Sequence, residues 1–151
     1  MTRTEPPLTD LYLEDEVAWL DAMADLLRAG NRADLDYANL TEFLTDMAIS
    51  ERREVENRLM VLLAHILKWL HQPARRGGGW HATILEQQFQ LSRHVDRGVL
   101  RNHAKASLAD CYADAVKIAA AETKLPAETF PAECEYTLAE VLAFDPAAAD
   151  A

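Results

Sequence analysis

Glycine is scarce in this chain, with five among 151 residues, and no glycine or proline stands between Gly30 and Pro73. So long a stretch without a turn-former excludes the closely spaced hairpins of a β protein, and no segment alternates apolar and polar residues between turn signals. Cysteine is nearly absent. Cys111 and Cys134 form no Cys-x-x-Cys pair and have no histidine at finger spacing, which removes the motif for structural zinc. They read as reduced core thiols of a cytosolic protein. Long apolar runs are missing too. Leu59 to Ala64 is the longest, far below the roughly 18 residues of a membrane-spanning helix. The segment Met1 to Pro7 lacks the apolar stretch of a secretion signal. A cytoplasmic protein with no membrane partner is expected.

Half of the residues are hydrophobic, enough for a core without disulfides or metal, and this length buries roughly 70% of the unfolded surface. The pattern of that half is helical. A first helix is expected from Asp10 or Asp15 to Ala29, with Val17, Leu20, Ala24 and Leu27 as one stripe, widened by Trp19, Met23 and Leu26. Gly30 provides its stop. Asp36 or Asn39 can cap the second stretch, which is read as continuous or kinked to about Leu70. From Leu59 onward that helix is apolar almost all round, so it should be buried.

Gln72 to Gly79 is the strong interior loop, and Trp80 opens a third helix with Ile84, Gln88, Leu91 and Val95 on one face and Leu85 alongside. Past Gly98, Leu100, Ala104, Leu108, Cys111, Ala115 and Ile118 carry a fourth helix to about Thr123. Thr137 and Glu140 form a capping-box pattern for a short last helix ended by Asp145-Pro146. The expected fold is all-α: a single helical domain over 1–151, a bundle of about five helices around a long central one, with loose tails at 1–8 and 145–151.

Charge is distributed in three blocks. Residues 1–50 hold eleven acidic and three basic groups, residues 51–105 five acidic and ten basic, and residues 106–151 nine acidic and two basic. All five histidines lie in the basic block. Opposite blocks in one domain point to helices that face each other; a phosphate-binding surface framed by acid is the sharper alternative. The net charge of −10 opposes general nucleic-acid binding, whose sequence-independent part comes from phosphate neutralisation.

Along the central helix Glu51, Glu54, Arg58, His65, Lys68 and Gln72 mostly fall three or four apart, hence on one line. That line is either a solvent face or the wall of a site. His65 is the best general acid–base candidate, since its pKa lies near neutrality. Arg75 and Arg76, three glycines and Trp80 make the nearest thing to a ligand loop, where guanidiniums and free backbone N–H groups can hold an anion. The plainer reading is a connector whose Trp80 plugs the core. No Asp or Glu has a histidine three positions later, so the Glu-x-x-His pair of bundle metal sites is missing. Arg58 also interrupts Glu54 and His65, so no metal or cofactor is expected. Neither a nucleophile elbow nor a partnered thiol is evident.

Certain groups of residues together resemble a bacterial family known as domain of unknown function 29, from Leu11 to about Phe144. They include Leu11-Tyr12, Asp15 and Trp19; Arg58-Leu59, Val61-Leu62-Leu63, His65 and Lys68-Trp69; Gln72-Pro73, Trp80 and Thr83-Ile84; and Glu122-Thr123, Leu125-Pro126 and Phe130-Pro131. The resemblance implies an all-helical fold and brings no activity, cofactor or catalytic residue. Three departures stand out. Gly77-Gly78-Gly79 replaces a serine-containing loop, and Lys124 and Glu135 stand where Gly and Pro are expected, which suggests altered turns there.

Three functional readings follow. The leading one is a small interaction or regulatory module, the acidic partner of a basic protein, with no enzymatic role favoured. The second is an enzyme or anion-ligand binder using Arg58, His65, Lys68, Arg75, Arg76 and Trp80. The third is a protein that contacts nucleic acid weakly. Oligomeric state stays open, weak self-association included.

Overall fold

A computed structural model describes residues 6–150; the first five residues of the expected N-terminal tail, and Ala151, lie outside the described residues. Six α-helices follow in order: α1 (Leu8–Glu14), α2 (Glu16–Arg28), α3 (Tyr37–His71), α4 (Gly78–His94), α5 (Gly98–Thr123) and α6 (Leu138–Ala143). Short 3₁₀ turns occupy Pro73–Arg75, Ala127–Thr129 and Ala148–Asp150. Among the described residues there is no strand, and no helix is long and apolar enough to cross a membrane. Contacts gather the chain into two compact units, residues up to Ile49 and residues from Ser50 onward. The division falls within α3.

In the first unit, the expected helix takes the Asp15 start of the two offered, and the residues from Leu8 to Glu14 form a separate short helix. Asp15 leaves helical geometry at φ −151°, and its carboxylate accepts the Ala18 N–H at 3.1 Å, capping α2. At the other end Gly30 takes φ 68°. The Gly30 N–H donates to Leu27 and the Asn31 N–H to Leu26, the pair of bonds that closes a Schellman turn. Of the expected stripe, α2 buries residues that widen it rather than its centre. Trp19 and Met23 are the buried residues, whereas Val17 and Leu27 of the supposed core stripe are exposed. Trp19 decides this. Its ring meets Tyr12 and Phe43 at 4.7 and 5.9 Å, and its indole N–H donates to the buried Asp36 carboxylate at 3.1 Å. Asp36 accepts in addition from the Asn39 N–H and side-chain amide, so the residue that starts α3 is also the polar anchor of the unit.

In the second unit, α3 supplies Val55, Leu59, Leu62, Leu63, Ile66 and Leu67 to a core completed by Ile84 and Leu91 of α4 and Val141 of α6. Leu62 and Ile66 are buried as the pattern requires. Ala104, Ala115 and Ala119 give α5 a side with little bulk, which permits close packing. Leu85 of α4 points outward instead. Gln88, buried on that helix, donates to the carbonyls of Val141 and Phe144 and so fixes the end of α6 to α4. The Thr137–Glu140 capping box is formed. The expected loose C-terminal tail is anchored at its start, because Pro146 is fully buried.

Two glycine expectations are corrected. Gly78 and Gly79 are not in a loop but in the first turn of α4, and neither a positive φ nor a crowded Cβ position requires glycine there. Lys124 keeps a left-handed turn, at φ 60° and ψ 20°, although the sequence suggested an altered one.

Leu62→Ala is expected to cost about 2–5 kcal/mol through lost burial and a residual cavity, measured by urea unfolding. Lys124→Gly is expected to raise stability by about 1 kcal/mol, since it relieves the left-handed strain on a side-chain-bearing residue; the shift in the urea midpoint reads it.

Candidate functional site

The polar line of α3 is not a solvent face at its C-terminal end. Lys68 is only 6% exposed. Its ammonium lies 2.6 Å from the Glu122 carboxylate of α5 and 5.1 Å above the Trp80 ring of α4, so one cation joins three helices. An ammonium taken out of water needs a charge partner and a polarisable wall, and the site supplies both. Its third neighbour is His65 Nε2 at 3.5 Å.

His65 Nδ1 sits 2.8 Å from the Val61 carbonyl. A carbonyl can only accept, so Nδ1 carries the proton and Nε2 presents a lone pair toward Lys68. Burial lowers the His65 pKa most; the Val61 carbonyl opposes this, the Lys68 ammonium adds to it, and Glu122 pulls back. The imidazole is thus held neutral. A neutral imidazole beside an ammonium can accept a proton in principle, but a reacting molecule needs space next to it. The cleft of about 820 Å³ in this unit is bounded by His71, Tyr112, Val116, Phe130 and Pro131 and includes none of His65, Lys68 or Trp80.

The remaining predicted residues do not converge on this group. Arg58 donates to Glu54 at 2.6 Å and to Gln87 at 3.3 Å. Arg76 turns back to the end of α3, where Nε donates to the Trp69 carbonyl at 2.7 Å and the guanidinium lies 5.3 Å from the Trp69 ring. That places a cation at a helix C-terminus, where the carbonyls favour it. Arg75 is exposed. Structure therefore brings together His65, Lys68 and Trp80, leaves Arg58, Arg75 and Arg76 with other surroundings, and adds Glu122. The sequence singles out Glu122 only within the family resemblance and not as the partner of Lys68, although a lysine inside an apolar run is itself a signal that some carboxylate must meet it.

The other histidines pair locally. His94 lies 3.8 Å from Glu51 and His103 3.5 Å from Glu56, while His71 and His81 pack edge-on against Phe130 and Trp69. Among the described residues no three of His, Cys, Asp and Glu form a metal-binding group. Both cysteines are free, Cys111 buried and Cys134 half-buried. Burial, aided by Glu56 and two aspartates, pushes the Cys111 thiol up to about 11, and burial raises Cys134 as well. Neither is a thiolate at neutral pH.

A different kind of surface occupies the first unit. Val17 is 67% exposed and Leu27 59% on α2, Leu13 is 85% exposed on α1, and α3 adds Leu44 at 63% with Tyr37, Met47 and Ile49 also exposed. On α2, Val17 and Leu27 belong to one stripe with the half-exposed Leu20 and Ala24. On α3, Tyr37, Leu44 and Met47 share a side by helical spacing. Around them the carboxylates of Asp10, Glu14, Glu16, Asp21, Asp25, Glu42 and Asp46 are exposed. Within this unit Arg28 pairs with Asp25 at 2.9 Å, and residues 1–50 hold eleven acidic groups against three basic ones.

Lys68→Ala is expected to destabilise by about 1–3 kcal/mol, the range for a hydrogen bond to a charged group; Glu122 is half-exposed and regains water, which keeps the loss below that of a fully buried pair. Lys68→Met, which retains the stem against Trp80, should cost less in the same urea titration. His65 adds a pH dependence. Its folded pKa lies below the ordinary 6.5, so the unfolded chain binds the proton first as pH falls. This contribution is whole above 6.5 and is lost as pH drops through the lowered folded value. Urea midpoints from about pH 8 to about pH 5 should show that decline, and His65→Gln should remove its share of the slope.

No curated protein and no solved structure matches the chain. The family model described as "Domain of unknown function DUF29" matches residues 11–145. That span takes in all of α2 to α6, including Trp19 and the Lys68–Glu122 pair, and the chain belongs to this family of helical domains of unknown function.

Proposed function

We propose that this protein is a cytoplasmic protein-interaction module of bacterial origin, and that its first helical unit is the docking surface. The observation that carries the reading is the exposure of Leu13 on α1, Val17 and Leu27 on α2, and Leu44 and Met47 on the first part of α3. Single exposed apolar residues are ordinary, whereas several within one unit of about fifty residues mark a surface that gains by being covered. Free thiols fit a reducing compartment.

The anion-binding or enzymatic reading has less support. Lys68 already meets Glu122, Arg58 meets Glu54, and Arg76 serves the end of α3. An incoming anion would have to displace partners already in place. The same internal pairing weakens a role in contacting nucleic acid, which needs several cations open to phosphate.

A photo-crosslinking side chain placed at Val17 or at Leu44 of the full chain in cells is expected to give discrete protein adducts. The same group at Leu85, exposed on α4, serves as the comparison. Equal background from all three positions would defeat the proposal.

A further inference from the structure

Resting on that reading, we infer that the partner of the first unit is a cationic amphipathic helix of another protein, which lays its apolar side on the α2 stripe of Val17, Leu20, Ala24 and Leu27 and its lysines or arginines against the carboxylates beside it, Asp21 and Asp25.

Charge selects the class of partner. Residues 1–50 carry eleven acidic and three basic groups, and nine of those acids are exposed in the structure. An occupant of the same sign would meet like charges at close range, which costs specificity and association rate. This excludes nucleic acid and anionic lipid surfaces from the first unit. It also disfavours a second copy docking through the same unit, where a balance of −8 would face −8.

Shape selects the form of the partner. Among its described residues the first unit has helices and turns but no strand, and hence no strand edge to which an extended peptide could add. What it offers is a stripe. Val17 and Leu27 stand ten residues apart on α2, a span of about 15 Å at 1.5 Å per residue, with Asp21 and Asp25 exposed next to the stripe and Leu20 and Ala24 along it. A partner helix of about three turns presents apolar anchors over the same length, with flanking cations in reach of the carboxylates. Helices pack in this way by setting one ridge of side chains into the groove of another.

The experiment uses the full chain and three synthetic probes of about four helical turns: an amphipathic Leu/Lys helix, a scramble of the same composition, and an amphipathic Leu/Gln helix. Fluorescence titration should give the Leu/Lys helix at least about a tenfold advantage over each of the others, and its affinity should fall with added salt. Val17→Gln with Leu27→Gln should weaken it by about tenfold. Asp21→Asn with Asp25→Asn should flatten the salt dependence. All four positions are exposed, so the variants should keep the wild-type thermal midpoint, and circular dichroism verifies this.

Equal binding of the scramble would mean charge alone, and equal binding of Leu/Gln an apolar surface indifferent to charge. Either overturns the cationic-helix inference while the docking role stands. A dimer in sedimentation that Val17→Gln abolishes would make a second copy the occupant and overturn it likewise. If no probe binds and the crosslinks from Val17 and Leu44 are background, inference and docking role fall together.

Discussion

A helix that is apolar on nearly every side has to be covered on every side, and the second half of α3 imposes that condition on everything after Ser50. α4, α5 and α6 are the cover. Their own sequences are built for it: Ile84, Gln88, Leu91 and Val95 line one side of α4, alanines open one side of α5 to close approach, and the capped α6 closes over with Val141 and Leu138. The condition has a polar corollary. A lysine on such a helix cannot simply reach water, so Lys68 is held by Glu122 and shielded by Trp80. A group that looks like chemistry in the sequence is the fastening of three helices.

How much could be read beforehand follows from what periodicity encodes. It reports which residues share a side of a helix, and that sufficed for the long α3, the α4 face and the Thr137–Glu140 cap. It does not report which of two apolar sides is covered. On α2 both sides qualify, and the stripe of Val17, Leu20, Ala24 and Leu27 has the better spacing. Trp19 prevails because its large ring finds Tyr12 and Phe43 and its N–H finds Asp36, a partner seventeen positions away. The pairing of Glu122 with Lys68 was invisible for a related reason. Glu122 lies 54 residues from Lys68 in an alanine-rich segment where any acid resembles an ordinary surface group. Local signals are similarly incomplete at Asp15, which can continue a helix or cap one. Only the path of the chain shows that it caps.

These particulars bear on function together. The basic middle of the chain, which invited an anion or nucleic acid, uses several of its cations within the fold. The acidic first unit does the opposite: it leaves most of its carboxylates open, and beside them a set of apolar side chains larger than its own small core demands. The proposed docking role rests on that contrast between a second unit in which several cations are paired and a first unit whose carboxylates and apolar side chains are exposed.

The three tryptophans are distributed in a way that has a use of its own. Trp19 alone belongs to the first unit, buried and bonded to a carboxylate, while Trp69 and Trp80 belong to the second, one with Arg76 over its ring and one with Lys68. Their excited states therefore sit in different electric fields, and a cation over an indole face shifts emission in a direction set by its position along the ring. A chain that keeps only Trp19 becomes an optical probe of the first unit, and one that keeps only Trp80 becomes a probe of the Lys68 fastening. Melting, ligand arrival and local fraying can then be watched separately in each unit of the unlabelled protein.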